Sequence, residues 1–104
     1  RRRIKMVTDS QFPHCPIRNI LARVCQPDAL WMVLQLGDKG EATKAQLVNS
    51  MAKLSVDEIE NAINLLAADN LITLHNGHWH LTKTGLSLLP RAKNMVRWCE
   101  QNLI

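Results

Sequence analysis

The chain has 104 residues, of which 46% are hydrophobic and 21% charged, with a formal net charge of +4. This balance is typical of one folded domain with a single core and excludes an intrinsically disordered chain. The apolar runs are too short to span a bilayer and no signal peptide is recognisable, so we expect no membrane segment.

The basic residues concentrate at the N-terminus. Arg1, Arg2, Arg3 and Lys5 supply four of the thirteen basic residues, and the remaining nine are balanced by nine acidic residues. We therefore expect a flexible basic arm over residues 1–13 and a folded domain over residues 14–104. Such an arm either binds phosphates or is a solvated tail.

The three cysteines, Cys15, Cys25 and Cys99, include no C-x-x-C pair. An odd set of this kind argues against a disulfide framework and a zinc ribbon, so we expect a reducing, cytoplasmic setting. A glycine-rich phosphate loop, a nucleophile elbow and a catalytic carboxylate pair are all absent from the sequence. We therefore expect neither enzymatic activity nor a cofactor.

Two helices are predicted first. Pro16 suits the first position of a helix, and apolar residues recur after it at helical spacing. This pattern predicts one buried face, formed by Ile17, Ile20, Leu21 and Val24. A second helix, predicted from Pro27 to Leu36, is apolar nearly all round and is expected to lie in the core. Gly37 and Gly40 are expected to end it.

Two capping boxes follow. Thr43 with Gln46 and Ser55 with Glu58 predict helix starts twelve residues apart. This spacing is typical of a helix-turn-helix. We expect the first helix to end near residue 52 and the second near Asp69. The residues expected to pack on the core are Leu47, Val48, Met51, Ile59, Ala62, Ile63 and Leu66.

A hairpin is predicted next, with strands over residues 71–75 and 78–81 joined by an Asn76-Gly77 turn. Asn70 is expected to cap the preceding helix in the left-handed conformation. Alternation predicts that Ile72, Leu74, Trp79 and Leu81 face inward, while Thr73, His75, His78 and His80 face outward.

A long helix is then predicted from Thr82 to about Asn102, bent or interrupted at Pro90. Its apolar stripe is more than a small domain can cover, which favours a dimer interface. The residues of this stripe are Leu86, Leu89, Val96, Cys99 and Leu103.

Three segments resemble the HxlR family of winged helix-turn-helix regulators, which is related to the MarR regulators. Cys15-Pro16-Ile17 resembles the C-P-[VI] element of that family. The run from Leu47 to Ile72 is similar to its L-x6-[IL]-S-x3-L-x3-L-x2-L-x-A-D-x-L-[VI] pattern. The run from Leu81 to Trp98 is similar to L-T-x-x-G-x-x-L-L-P-x7-W.

The resemblance implies a mainly α (α+β) fold, a winged helix-turn-helix with a short two-stranded wing and a long C-terminal dimerisation helix. It further implies a transcription regulator that binds duplex DNA as a homodimer, paired through its N- and C-terminal helices. Helix 55–70 would enter the major groove, and the wing over 71–81 would lie on the backbone. The candidate DNA-binding residues are Lys44, Lys53, Ser55, Asp57, Glu60, Asn61, Asn64, His75, Asn76, His78 and Lys83.

The second helix of the pair is unusually acidic for this role. Asp57 and Glu60 stand where family members commonly carry Lys, Gln or Thr. Acids in a first turn complement the helix dipole, and they can also accept a hydrogen bond from cytosine. The alternative to DNA binding is a winged-helix protein-protein interaction module whose acidic helix docks a basic partner.

Cys15 is a candidate redox sensor. It lies at a predicted helix N-terminus between His14 and Arg18, a setting that favours the thiolate. The resemblance likewise implies a small-molecule or oxidant effector. A partly buried structural thiol is the alternative, and Cys25 and Cys99 are expected to be packing residues. Cys99 could also pair with Cys15 of a second subunit.

The hairpin histidines are the remaining candidates. His75, His78 and His80 share a predicted face and have the chemistry of a Zn, Cu or Ni site. Exposed histidines on a strand are more often solvated or in contact with phosphate. Because no carboxylate or cysteine is near them in sequence, we expect no metal.

Overall fold

The computed structural model describes Gln11 and residues 14–104. The arm predicted over residues 1–13 thus lies outside the described residues, apart from Gln11. The elements in chain order are α1 (Pro16–Val24), α2 (Pro27–Lys39), α3 (Lys44–Ser50), α4 (Val56–Ala68), β1 (Ile72–His75), β2 (His78–Leu81) and α5 (Lys83–Leu103). The fold is mainly α, with a helix-turn-helix, a two-stranded antiparallel hairpin and a long C-terminal helix, as predicted. Within the described ranges, no helix is both long and apolar enough to cross a membrane.

Helix α2 forms the centre of the core, as expected. It packs against α4, α5 and β2, and its buried residues are Ala29, Met32, Val33 and Leu36. The expectation that Gly37 ends this helix is wrong, because α2 continues to Lys39 and ends at Gly40, where φ is +82°. Gly37 instead makes room for α5, since a Cβ there would lie 2.6 Å from the methyl groups of Leu89.

Both capping boxes are confirmed. The Thr43 hydroxyl accepts from the Gln46 amide at 3.1 Å, and the Gln46 side chain accepts from the Thr43 amide at 2.8 Å. The matching distances for Ser55 and Glu58 are 3.1 and 2.9 Å. Helix α3 ends at Ser50, slightly earlier than predicted. The seven expected core residues of α3 and α4 are buried except Val48, which is half-buried.

The hairpin has the predicted register, with His75 opposite His78 and Ile72 opposite Leu81. Its turn residues Asn76 and Gly77 have φ of 51° and 76°, the sign that a tight hairpin turn of this kind requires. The inward placement of Leu74 is wrong, since this side chain is 54% exposed. The reason is that β1 leaves the core after its first residue, and its other three residues are all exposed.

The middle of β2 also pairs with the segment that precedes α3. Two backbone hydrogen bonds join Ala42 and Trp79, from the Trp79 amide to the Ala42 carbonyl at 2.7 Å and from the Ala42 amide to the Trp79 carbonyl at 3.1 Å. The sequence carried no signal for this isolated bridge, which places Glu41 beside the hairpin.

The buried face predicted for α1 is wrong. Ile17, Ile20 and Leu21 are all exposed, and the side chain of Val24 lies outside what the structure describes. Helix α1 packs against α2, and an ion pair ties it to the end of α4: Arg23 Nε lies 2.9 Å from Asp69 Oδ2. The apolar periodicity of α1 therefore marks an open face of this chain.

Thr82 is the N-cap of α5, and its hydroxyl accepts from the Gly85 amide at 3.1 Å. Of the two alternatives expected at Pro90, a bend or an interruption, the interruption does not occur, because the helix runs through this residue without a break. Within the predicted stripe, Leu89 is half-buried and packs against the core. Further along, Val96 and Leu103 are exposed. The second half of α5 thus extends an uncovered apolar surface.

One junction joins α4, the hairpin and α5. The Leu71 amide donates to the Leu66 carbonyl at 2.9 Å, and the Leu71 carbonyl accepts from the Thr82 amide at 3.0 Å. The Thr82 hydroxyl donates to the Asn70 carbonyl at 2.6 Å, and Asn70 has the expected left-handed conformation, with φ of 59°. Gly85 packs so closely here that a Cβ would overlap the Leu71 carbonyl oxygen.

Gly85→Ala should therefore destabilise the protein, although alanine is the better helix former. The added methyl meets a backbone atom that is fixed by a hydrogen bond, and we expect a loss of about 1–3 kcal/mol in the free energy of unfolding. Urea denaturation followed by circular dichroism measures this loss. Thr84→Ala, an exposed change on the same turn, is the matched control and should not destabilise. Equal stability of the two variants would contradict the close packing at Gly85.

Candidate nucleic-acid interface

The outer surface of α4 carries the predicted contact residues. Asp57, Glu60, Asn61 and Asn64 are all exposed. The opposite side of α4 holds the helix on the core through four buried residues, Ile59, Ala62, Ile63 and Leu66. The division follows helical periodicity, so the polar residues share the side that faces away from α2. This places two amides and two carboxylates on one accessible strip.

Ser55, another candidate, has a structural role. Its hydroxyl accepts from the Glu58 amide and thereby satisfies one of the free donors at the start of α4. A hydroxyl oxygen has two lone pairs, so Ser55 keeps the capacity for a further contact.

Lys44 and Glu60 are brought together in a way that the sequence did not indicate. Lys44 is the first residue of α3, and its Nζ lies 2.7 Å from the Glu60 carboxylate. Both side chains are about half exposed, so the pair adds at most about 1 kcal/mol to stability. Its electrostatic effect is local, because the Lys44 charge is directed at an acid of α4.

Lys53 and Lys83 flank α4 and the hairpin in sequence. Lys53 lies in the turn before α4, and Lys83 is the first residue of α5. Both are exposed, and neither forms an ion pair with any part of the chain that the structure describes. They are thus available cations at the two ends of the α4–hairpin segment.

The hairpin turn brings its polar candidates together. Asn76 Nδ2 lies 3.3 Å from His75 Nε2, and the Asn76 carbonyl lies 3.0 Å from His78 Nδ1. Asn76 and His75 are exposed, whereas His78 is half-buried. The turn therefore presents several hydrogen-bond donors and acceptors close together.

A carboxylate that sequence proximity could not reveal lies beside the histidines. Glu41 Oε2 is 3.7 Å from His78 Nε2, and Glu41 Oε1 is 3.8 Å from His80 Nε2. Over Gln11 and residues 14–104, no group of three His, Cys, Asp or Glu side chains is arranged to hold a metal ion.

The three cysteines are free thiols. Cys15 is half-buried at the N-cap of α1, where its side chain makes no capping hydrogen bond, and its redox role stays a prediction. The prediction that Cys25 is a packing residue is wrong, because this residue is exposed where α1 ends. Cys99 is half-buried on α5.

Neither a protein-family model nor a curated protein matches the chain. The resemblance to the HxlR regulators and the roles that it implies therefore stay predictions.

The capping role of Ser55 can be measured. Ser55→Ala should lower the free energy of unfolding by about 0.5–2 kcal/mol, because the amide at the third helical position loses its acceptor. Ser55→Asp restores an acceptor and should keep the wild-type stability. Thermal and urea denaturation of both variants test this difference. If Ser55→Ala were as stable as the wild type, the hydroxyl would not be acting as a cap.

Proposed function

We propose that this protein is a DNA-binding transcription regulator of the HxlR type, which binds duplex DNA as a homodimer through helix 55–70 and the hairpin wing 71–81. The observation that carries the proposal is the exposed strip of α4, within a helix-turn-helix that is followed by a hairpin. Asn61 and Asn64 expose amides, the side chains that bind adenine edges in the major groove.

Attraction to phosphates must come from outside α4. The candidates are Lys53, Lys83, the hairpin imidazoles and the basic N-terminal arm, which lies largely outside the described residues. Backbone contacts of this kind fix the position of a protein on DNA, while contacts to base edges supply the specificity. The effector of such a regulator would be a small molecule or an oxidant acting at Cys15.

The open apolar faces of α1 and α5 support the homodimer. Ile17, Ile20, Val96 and Leu103 are exposed hydrophobic residues on the first and last helices. Ile17 and Ile20 are spaced to share one side of α1, and Val96 and Leu103 to share one side of α5. An exposed apolar face of this kind is typical of an interaction surface. A second copy would cover them and would present two α4 helices to DNA.

A second candidate function is a protein-protein interaction module without DNA binding. The Lys44–Glu60 pair favours it, because the positive charge of Lys44, which lies beside the exposed side of α4, is already neutralised by Glu60 at 2.7 Å. Asp57 has no cationic partner among the described residues. In this case the acidic strip would dock a basic segment of another protein.

A salt series separates the two functions. The proposed regulator should bind a fluorescent random-sequence duplex at low salt and lose affinity steeply as the salt concentration rises, through counterion release. Fluorescence anisotropy gives the slope of log K against log salt. Lys53→Gln should weaken binding to all sequences and reduce this slope by about one per protomer.

Arg97→Gln is the matched control, since it removes one positive charge from α5 outside the proposed surface and should leave the slope unchanged. Failure to bind random duplex even at low salt would favour the interaction module.

The dimer can be tested separately. Val96→Glu places a charge on the open face of α5, and we expect it to convert the dimer to a monomer in sedimentation velocity. Leu74→Glu is the control, because it charges an apolar side chain of comparable exposure on the hairpin: Leu74 is 54% exposed and Val96 42%. A wild-type protein that sediments as a monomer at micromolar concentration would contradict the proposed pairing.

A further inference from the structure

The hairpin collects three of the four histidines of the chain on one face. His75 lies opposite His78, and His80 lies two positions further along β2, so alternation directs all three side chains to the same side. The ring centroids of His75 and His80 are 6.2 Å apart. This histidine face adjoins the turn that the proposed function places on the DNA backbone.

Glu41 lies at the edge of the histidine face. Its two carboxylate oxygens are 3.7 Å from His78 Nε2 and 3.8 Å from His80 Nε2. Both distances are longer than a hydrogen bond, so Glu41 acts on the imidazoles as a nearby negative charge.

The other charged groups on the packed elements form no ion pair with an imidazole in the part of the chain that the structure describes. Three of the acids are engaged elsewhere, Asp38 with Lys93, Glu60 with Lys44 and Asp69 with Arg23. The charged residues of the elements that pack against the hairpin are Asp28, Asp38 and Lys39 on α2, Asp57, Glu58, Glu60 and Asp69 on or capping α4, and Lys83, Arg91, Lys93, Arg97 and Glu100 on α5.

Positive charge on the hairpin can come only from protonated imidazoles. No Lys or Arg occurs between Leu54 and Leu81, and histidine is the residue type that changes charge between pH 5 and 8. With neutral imidazoles, the histidine face and Glu41 together carry one negative charge. With all three imidazoles protonated, their three positive charges exceed the single negative charge of Glu41.

We propose that protonation of His75, His78 and His80 controls the DNA affinity of the hairpin, so that the protein binds duplex DNA more tightly as the pH falls from about 8 to about 5.5. The direction of this change in affinity follows from the linkage between DNA binding and proton binding. Phosphates favour the protonated imidazoles, so binding takes up protons and is strengthened by them. This inference rests on the proposed DNA-binding function and adds its regulation by pH.

Anisotropy with a labelled random-sequence duplex of about 30 base pairs, long enough for two half-sites one helical turn apart, tests the proposal. At constant ionic strength, the Kd at about pH 5.5 should be at least about tenfold lower than at about pH 8. In the variant that combines His75→Gln, His78→Gln and His80→Gln, the two Kd values should become nearly equal. His14→Gln, which removes the one histidine outside the hairpin, is the matched control and should keep the wild-type ratio.

Circular dichroism at both pH values checks that the triple variant is folded. If the triple variant does not fold, the single change His75→Gln, at an exposed position, takes its place. This variant should reduce the ratio of the Kd values at the two pH values in part. Equal wild-type Kd values at the two pH values would overturn this inference and leave the proposed function standing. A wild-type ratio in the folded triple variant would also overturn it. Absence of binding at both pH values would overturn the proposed function and this inference together.

Discussion

The hydrogen bond from the Thr82 amide to the Leu71 carbonyl is the constraint on which the geometry of the candidate site depends. Leu71 is itself held on α4 by its amide, which donates to the Leu66 carbonyl. Thr82 binds the Asn70 carbonyl through the hydroxyl that also caps α5. The end of α4, the base of the hairpin and the start of α5 therefore meet at one point. A shift of any one of them changes the angle between α4 and the wing.

The charges on α4 illustrate a conflict between local stability and the proposed binding. Asp57 and Glu58 lie in the first turn, where a negative charge contributes about 0.3–1 kcal/mol through the helix dipole, and Glu58 also completes the capping box. The same charges repel phosphates. A helix start that is stabilised in this way needs cations from other elements to approach DNA, and the Lys44–Glu60 pair withdraws one of those cations. In the proposed complex, the attraction to phosphates would therefore come from Lys53, Lys83, the hairpin imidazoles and the basic N-terminal arm.

Local signals made much of the fold predictable from the sequence. The capping boxes at Thr43 and Ser55 and the Asn76-Gly77 turn are each decided within four residues, and all three are confirmed. Burial was harder to predict, because periodicity shows that a helix has an apolar face but not that anything covers it. The exposed face of α1 is such a case.

Contacts between distant residues account for what the sequence did not reveal. Gly37 lies inside α2 rather than at its end, and its missing Cβ leaves the space that Leu89 of α5 occupies. Lys44 meets Glu60 across the turn between α3 and α4, and Glu41 reaches the histidines only because Ala42 pairs with Trp79. A second subunit packed against α1 and α5 would add another long-range effect. Each charge of the proposed DNA-binding surface would then be present twice on one duplex. Because contributions to log K add, a change of charge on each hairpin would change log K by twice the amount that one hairpin gives.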